Sequence, residues 1–409
     1  MKYTFKDICT KIGSGATPTG GKEAYKGGDY ALVRSQNVLD YTFTTSGLAY
    51  INETQAKKLD GVKVESGDVL LNITGDSVAR ACIIPDEILP ARVNQHVAII
   101  RANNQYALNE YLLYFLQYNK QYLLSISQGG GTRSAITKKM IEDIEIDLPS
   151  IEDQLAIVNI INSISKKIEV NQQINDNLEQ QAQALYKSWF IDFEPFKDGK
   201  FEESEIGLIP EGWHVGKAED FYEINIGKTP PRKEHEWFTL DKGQNIWVSI
   251  SDLGSDGRFL FDSSEYLTDK AIQKHNIVLV PEDTVLLSFK LTIGRVGIAG
   301  TQLTTNEAIA RFITNSVNRE YTYFLLKNFN YSKLGSTSSI ATAVNSKIIK
   351  AMMVLMPSNE CLLNFKKLVG PIIDGIKKNE EEILRLTALR DILLPKLMSG
   401  ELKINEIDC

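Results

Sequence analysis

From Ile151 to Phe190 the chain runs for about forty residues with neither glycine nor proline: IEDQLAIVNIINSISKKIEVNQQINDNLEQQAQALYKSWF. An ordinary helix stops after three or four turns. Stepping by alternate threes and fours from Ile157 gives Ile161, Ile164, Ile168, Asn171, Asn175, Leu178, Ala182, Leu185 and Trp189. That is an apolar seam at heptad spacing, interrupted twice by asparagine near its middle. A helix of this length buries its stripe either in the core of a large domain or against a second helix. The rest of the chain is therefore expected to supply a partner.

It does so 208 positions later. The stretch LLNFKKLVGPIIDGIKKNEEEILRLTALRDILLPKL places Phe365, Val369, Ile372, Ile376, Asn379, Ile383, Leu386, Arg390, Leu393 and Leu397 on the same steps. Asn379 answers Asn171, so the polar interruption recurs. A seam asparagine lowers stability and specifies register, and this is the role expected of Asn171, Asn175 and Asn379. Pro371 and Pro395 predict that this copy begins late or bends.

The repeat extends beyond the helices. AITKKMIEDIEIDLPS (135–150) answers AVNSKIIKAMMVLMPS (343–358). EYLLYFLQ (110–117) answers EYTYFLLK (320–327), and NQHVAII (94–100) answers NEAIARF (306–312). SVARACI (77–83) answers TIGRVGI (292–298), and DVLLNI (68–73) answers TVLLSF (284–289). Near the start, IGSGATP (12–18) loosely answers INIGKTP (224–230). Each repeat is one globular unit followed by one long helix. DYALVRSQNVL, DVLLNIT, HVAIIR, NIWVSIS, TVLLSF and AIARFI read as strands. YLLYFLQYNKQYLLSIS and EYTYFLLKNFN read as helices. The expected boundaries are globular units at 1–150 and 213–358, helices at 151–191 and 359–400, a Gly-, Pro- and acid-rich linker at 192–212, and a tail at 401–409.

At 409 residues and 43% hydrophobic, the chain can bury sizeable cores. No apolar run is long enough for a membrane span, and MKYTFKDICTKIG lacks the apolar core of a secretory signal. Cys9, Cys82, Cys361 and Cys409 are far apart and fit a reduced, cytoplasmic chain. The net charge of −7 argues against nucleic-acid binding. Both globular units are nevertheless near charge balance and can carry a basic face.

Catalytic and metal signatures are missing. His96, His214, His235 and His275 are isolated, and no Cys/His grouping has metal-ligand spacing. GSGATPTGGKE fails as a phosphate loop at Ala16 and Glu23. Thr229-Pro230-Pro231-Arg232 lacks the flanking Asn/Asp and aromatic of an amino-methyltransferase loop. No catalytic and no metal-ligating residue is expected.

ALYKSWFIDFEPFK (184–197), IGLIPEGW (206–213), LRDILLPKLMSGEL (389–402) and the LPSIEDQLAIV junction (148–158), set in this repeat, resemble the specificity subunit of type I restriction-modification systems. The second junction, MPSNECLLNF (356–365), departs from the pattern in lacking the acidic-Gln pair. The resemblance implies an α+β chain: two similar α/β target-recognition domains joined by two long helices in an antiparallel coiled coil, with pseudo-twofold internal symmetry. It further implies double-stranded DNA as ligand, each domain reading half of a bipartite site. The implied partners are two methyltransferase subunits using S-adenosylmethionine and restriction translocase-nuclease subunits using ATP and Mg, with no cofactor held by this chain. About 38 helical residues span on the order of 57 Å, ample to separate modules on major-groove faces one turn, roughly 34–36 Å, apart. A protein-only coiled-coil adaptor and a catalytic methyltransferase or nuclease fusion remain alternatives.

Base readout needs Arg/Lys, Asn/Gln and Ser/Thr at loops or element ends. The candidates in the first unit are Arg34, Gln36, Asn37, Arg80, Thr132, Arg133 and Lys138. In the second they are Arg232, Ser249, Lys290, Arg295, Thr337, Ser338 and Lys347. Thr132 and Arg133 lie in QGGGTRS, and Thr337 and Ser338 in GSTSS, Gly- and Ser-rich loops in which backbone can approach phosphates closely.

Overall fold

The computed structural model describes residues 2–18, 25, 27–128, 134–254, 257–313, 316–334 and 344–403. The chain divides into two compact units. One comprises residues 1–166 together with 386–409, and the other 167–385. Both long helices contribute to both units.

The first unit is a sandwich of two sheets with helices on one outer face. One sheet is antiparallel in the order Cys9–Ser14, Val97–Ala102, Val69–Asn72, Ala81–Ile83. The other is mixed, in the order Ala49–Ile51, Tyr30–Val33, Ala91–Val93, Lys63–Val64. Side chains alternate across a strand, so Val69 and Leu71 face the helix Asn109–Tyr118 while Leu70 faces the mixed sheet. Covering on both sides explains why DVLLNI reads as an unbroken apolar run.

The second unit repeats this arrangement. Its larger sheet runs Glu223–Ile226, Ile309–Ile313, Val285–Ser288, Val296–Ala299, Phe259–Leu260. Val285 and Leu287 face the helix side, and Leu286 faces the mixed sheet built on Asn245–Val248. A two-stranded ribbon closes each unit: Lys2–Thr4 with Glu145–Asp147, and His214–Lys217 with Met353–Met356.

The long helices are Ile151–Phe190 and Asn359–Ser399. The second is continuous from Asn359 through Pro371 and Pro395, so it does not begin late as Pro371 suggested. Both prolines are solvent-facing, as are Lys367 and Asp391 four residues earlier, so the carbonyls that lose their helical donors lie on the side of the helix open to solvent. In the second unit the helices run antiparallel, numbers rising on one as they fall on the other. Asn171 donates to Glu382 Oε2 at 2.8 Å, and Asn379 donates to Asn175 Oδ1 at 2.8 Å. In the first unit Ile157 and Ile161 share a core with Leu394 and Leu397.

Two further readings change. The segment 192–212 is not a plain linker but carries a hairpin, Phe201–Ser204 with Gly207–Pro210. YLLYFLQYNKQYLLSIS forms two helices, Asn109–Tyr118 and Lys120–Ser127, rather than one. Trp189, Phe190, Phe193 and Phe196 pack into the second unit itself, with ring centroids 4.8 Å apart for Phe190–Phe365 and 5.0 Å for Phe196–Trp213.

Candidate nucleic-acid interface

In each unit the loops leaving the sandwich at one end are tied together by the same set of bonds. The strand Tyr30–Val33 ends because the Asn37 side chain accepts the Arg34 N–H at 3.1 Å, turning Ser35–Asn37 into a 3₁₀ turn. In the second unit the Asp252 carboxylate accepts the Ser249 N–H at 2.8 Å. Asn94 N–H bonds Val33 O at 3.0 Å, and Asn306 N–H bonds Val248 O at 3.0 Å. The Asn94 and Asn306 side chains each accept an N–H two residues on, both at 3.0 Å.

The opening loops lie against these turns. Gly15 and Gly227 pass so close to the strand opposite that a Cβ would fall 1.6 Å from Val93 O and 2.1 Å from Asn306 O. No other residue fits at either place. Just beyond them, the Thr17 hydroxyl donates to Gln95 Oε1, and the Thr229 hydroxyl donates to Glu307 Oε2. These four residues were not among the expected set. The matching Thr-Pro and the Asn-Gln/Asn-Glu pairs in the repeat alignment were the available signal.

The third shared feature is a hairpin loop. In both units a strand residue exchanges backbone bonds with the far side of the loop: Asn72 N–H to Arg80 O at 2.8 Å, and Ser288 N–H to Arg295 O at 2.9 Å. In the first unit this loop also meets Ser134, the last residue of the QGGGTRS run, with Gly75 N–H on Ser134 O at 3.3 Å, and meets His96, with Thr74 Oγ1 2.5 Å from His96 Nδ1.

The expected readers fall into distinct environments. Arg34 is half-buried, donates to Gly47 O, and its guanidinium carbon lies 6.0 Å from the Tyr25 ring centroid. Gln36 is exposed and donates to Gly47 O at 3.2 Å. Asn37 is fully buried, its amide donating to Thr44 O and Ser46 O at 3.0 and 3.2 Å. With both ends of its side chain engaged, it holds the turn and is withdrawn from the reading set. Arg80 is half-buried on the hairpin loop. Arg295, its counterpart, donates to Ile250 O at 2.7 Å and so binds that loop to the Ser249 turn. Ser249 Oγ donates to Asp252 Oδ2 at 2.6 Å. Arg232 is exposed, stacked 4.2 and 4.6 Å over Phe238 and Trp247, and paired with Glu265 at 2.7 Å. Lys290 is exposed at the hairpin loop. Lys138 and Lys347 sit exposed in the first turns of short helices capped by Thr137 and Asn345. Thr132, Arg133, Thr337 and Ser338 lie outside the described residues.

Apart from these loops, the second unit grips the long helices through a buried charged network. Arg258 donates to Glu179 at 3.0 Å and to Asp176 at 2.6 Å. Glu380 accepts the backbone N–H groups of Arg258 and Phe259, both at 2.8 Å. Burial pushes the Glu380 carboxyl above its ordinary range, only partly offset by those donors. Burial acts the same way on Glu179, but bonds from Lys327 and Tyr323 outweigh it and hold that carboxyl below its ordinary range. Asn171 and Asn175 are buried in the seam, and Asn379 is half-buried. Among the described residues, no group of three or more His, Cys, Asp or Glu side chains could hold a metal ion, and no helix is long and apolar enough to cross a membrane. Cys9, Cys82 and Cys361 are free thiols.

A family model described as the type I restriction modification DNA specificity domain matches residues 1–180 and 210–360. The specificity subunit of the type I restriction enzyme MjaIX of Methanocaldococcus jannaschii is 27% identical, covering 98% of this chain and 93% of that one. The corresponding HindI subunit of Haemophilus influenzae is 25% identical, covering 91% and 94%. The crystal structure of a type I restriction-modification S subunit from M. genitalium has the same fold, with a TM-score of 0.56 at 14% identity over 97% of this chain and 95% of that one.

Proposed function

This chain belongs to the type I restriction-modification DNA specificity family, and on that footing we propose that it is the non-catalytic DNA-reading subunit of a cytoplasmic restriction and adenine-methylation complex. Each globular unit reads one half of a bipartite duplex site through its loop end. The paired helices keep the two readers in register and dock two methyltransferase subunits, with restriction translocase-nuclease subunits joining them. S-adenosylmethionine, ATP and Mg belong to those partners.

The observation that carries this reading is one loop framework built twice with different side chains. Thr17–Gln95 becomes Thr229–Glu307. The turn fixed by Asn37 becomes one fixed by Asp252. A fixed frame with variable residues at its rim is what reading two different sequences requires, since base edges are distinguished by donor and acceptor pattern. Contacts to phosphate come from exposed cations such as Lys138, Lys290 and Lys347, which position without specifying.

The test is exchange of residues 1–150 for the equivalent unit of a relative, followed by methylome sequencing of cells carrying the chain with its modification subunit. One half of the methylated site should change and the other should stay. A change in both halves, or in neither, refutes the two-reader model.

A further inference from the structure

The hairpin loop shared by the two units differs at its apex. Three residues past Asn72 the first unit has Gly75, at φ +76°; three residues past Ser288 the second has Leu291, at φ +60°. A left-handed backbone suits glycine and is strained for a leucine. The strain is compounded because the Thr292 N–H bonds the Lys290 carbonyl at 2.7 Å, making Leu291 the centre of a tight positive-φ γ-turn. The leucine gains nothing by packing in return, being 98% exposed.

A single exposed leucine is ordinary on a protein surface. This one is different because exposure coincides with strain, and because the loop is rigidly built around it. Ser288 Oγ donates to Thr292 O at 2.6 Å and accepts the Arg295 N–H at 3.1 Å. Gly294 N–H returns to Ser288 O at 3.0 Å, and the Arg295 guanidinium fastens the loop to Ile250. Strain that the surrounding structure enforces, at a position where the other repeat uses glycine, marks a side chain held out for a ligand.

The surroundings define that ligand. Lys290, adjacent and exposed, suits a phosphate. The Ser249–Asp252 turn, tied on through Arg295, carries Ser249, one of the second unit's polar candidates for base edges. In the major groove the apolar projection among those edges is the thymine 5-methyl group. We propose that Leu291 is a specificity-determining residue that packs against a thymine methyl in the half-site read by the second unit. The first unit, with Gly75, lacks an equivalent. This rests on the DNA-reading function proposed above.

The test uses the full chain bound to its modification subunit, and duplexes carrying the site found by methylation mapping, with each thymine replaced in turn by uracil. In the half-site assigned to residues 213–358, one replacement should weaken binding of the native chain about fourfold, the worth of one buried methyl group. Leu291→Gly, which installs the residue the first unit already uses, should bind with no sensitivity to that replacement and melt no lower than the native chain. If no replacement distinguishes native from variant while both prefer the site duplex to a scrambled one, Leu291 is not a methyl reader and the DNA-reading function stands. If the native complex shows no preference for the site duplex, the DNA-reading function falls and this assignment with it.

Discussion

Glu179 shows how much one side chain can hold. Its carboxylate receives Arg258 and Lys327 and the Tyr323 hydroxyl, and it is only 12% exposed. A buried group with charged partners leaves several orphans when it is removed. Glu179→Gln should therefore destabilise the second unit by about 2 kcal/mol at pH 7. The folded carboxyl is held below its ordinary value of 4.5, so its contribution is present above that value and is lost as pH falls through the folded pKa. Urea denaturation of native and variant chains at pH 7 and near pH 3 should show the gap narrow in acid. An unchanged gap would mean that shape, not charge, is what the glutamine fails to supply. Glu380 works in the opposite sense. With its carboxyl raised, its contribution is fullest below the ordinary range and declines as pH rises through the folded pKa.

At the scale of elements, the seam of the first long helix was legible from spacing alone as far as Ala182, because burial follows the heptad through Ile157, Ile161, Ile164, Ile168, Asn171 and Asn175. Beyond Ala182 the buried positions move to Tyr186 and Phe190, while Leu185 and Trp189 are only partly covered. A helix drifts against a strict seven-residue repeat, and here the aromatic core of the second unit, to which the partner helix contributes Phe365, decides which side is covered. The turn at Ser35–Asn37 was illegible for a different reason: β-branched and apolar neighbours signal a strand, and only the side-chain bond from Asn37 stops it. The seam asparagines carry their own prediction. Asn175 Nδ2 is buried without a partner among the described residues, so Asn175→Leu with Asn379→Leu should raise stability by about 1–2 kcal/mol. The expected loss is in register. A cysteine pair at positions 178 and 375, which face each other across the seam (a Cβ on Gly375 would lie 3.7 Å from Leu178 Cδ1), should cross-link more slowly in the double variant. Equal cross-linking would show that the apolar seam alone sets the alignment.

For the whole chain, the duplication was the most legible feature, since the offset of matching segments anticipated two similar globular units and both long helices, though not that each unit is a sandwich of two sheets. The reading surface was less so. The bonds that define it, Thr17 with Gln95 and Thr229 with Glu307, join residues 78 positions apart in each repeat, and only the fold brings them together. The composition of the first unit has a further consequence. Its core is completed by Leu394 and Leu397, both 3% exposed, which arrive only after all of the second unit has been synthesised. Each such leucine contributes about 1.5–3 kcal/mol, a large fraction of a domain's 5–15 kcal/mol. Ending the chain after Arg385 should leave hydrogen exchange in the second unit unchanged and greatly accelerate it around Ile157 and Ile161; protection retained at those sites would contradict this. On the ribosome, then, the domain begun first is finished last. Until then its core lacks Leu394 and Leu397, and a chain cut short in translation would carry an unfinished first unit beside a complete second one.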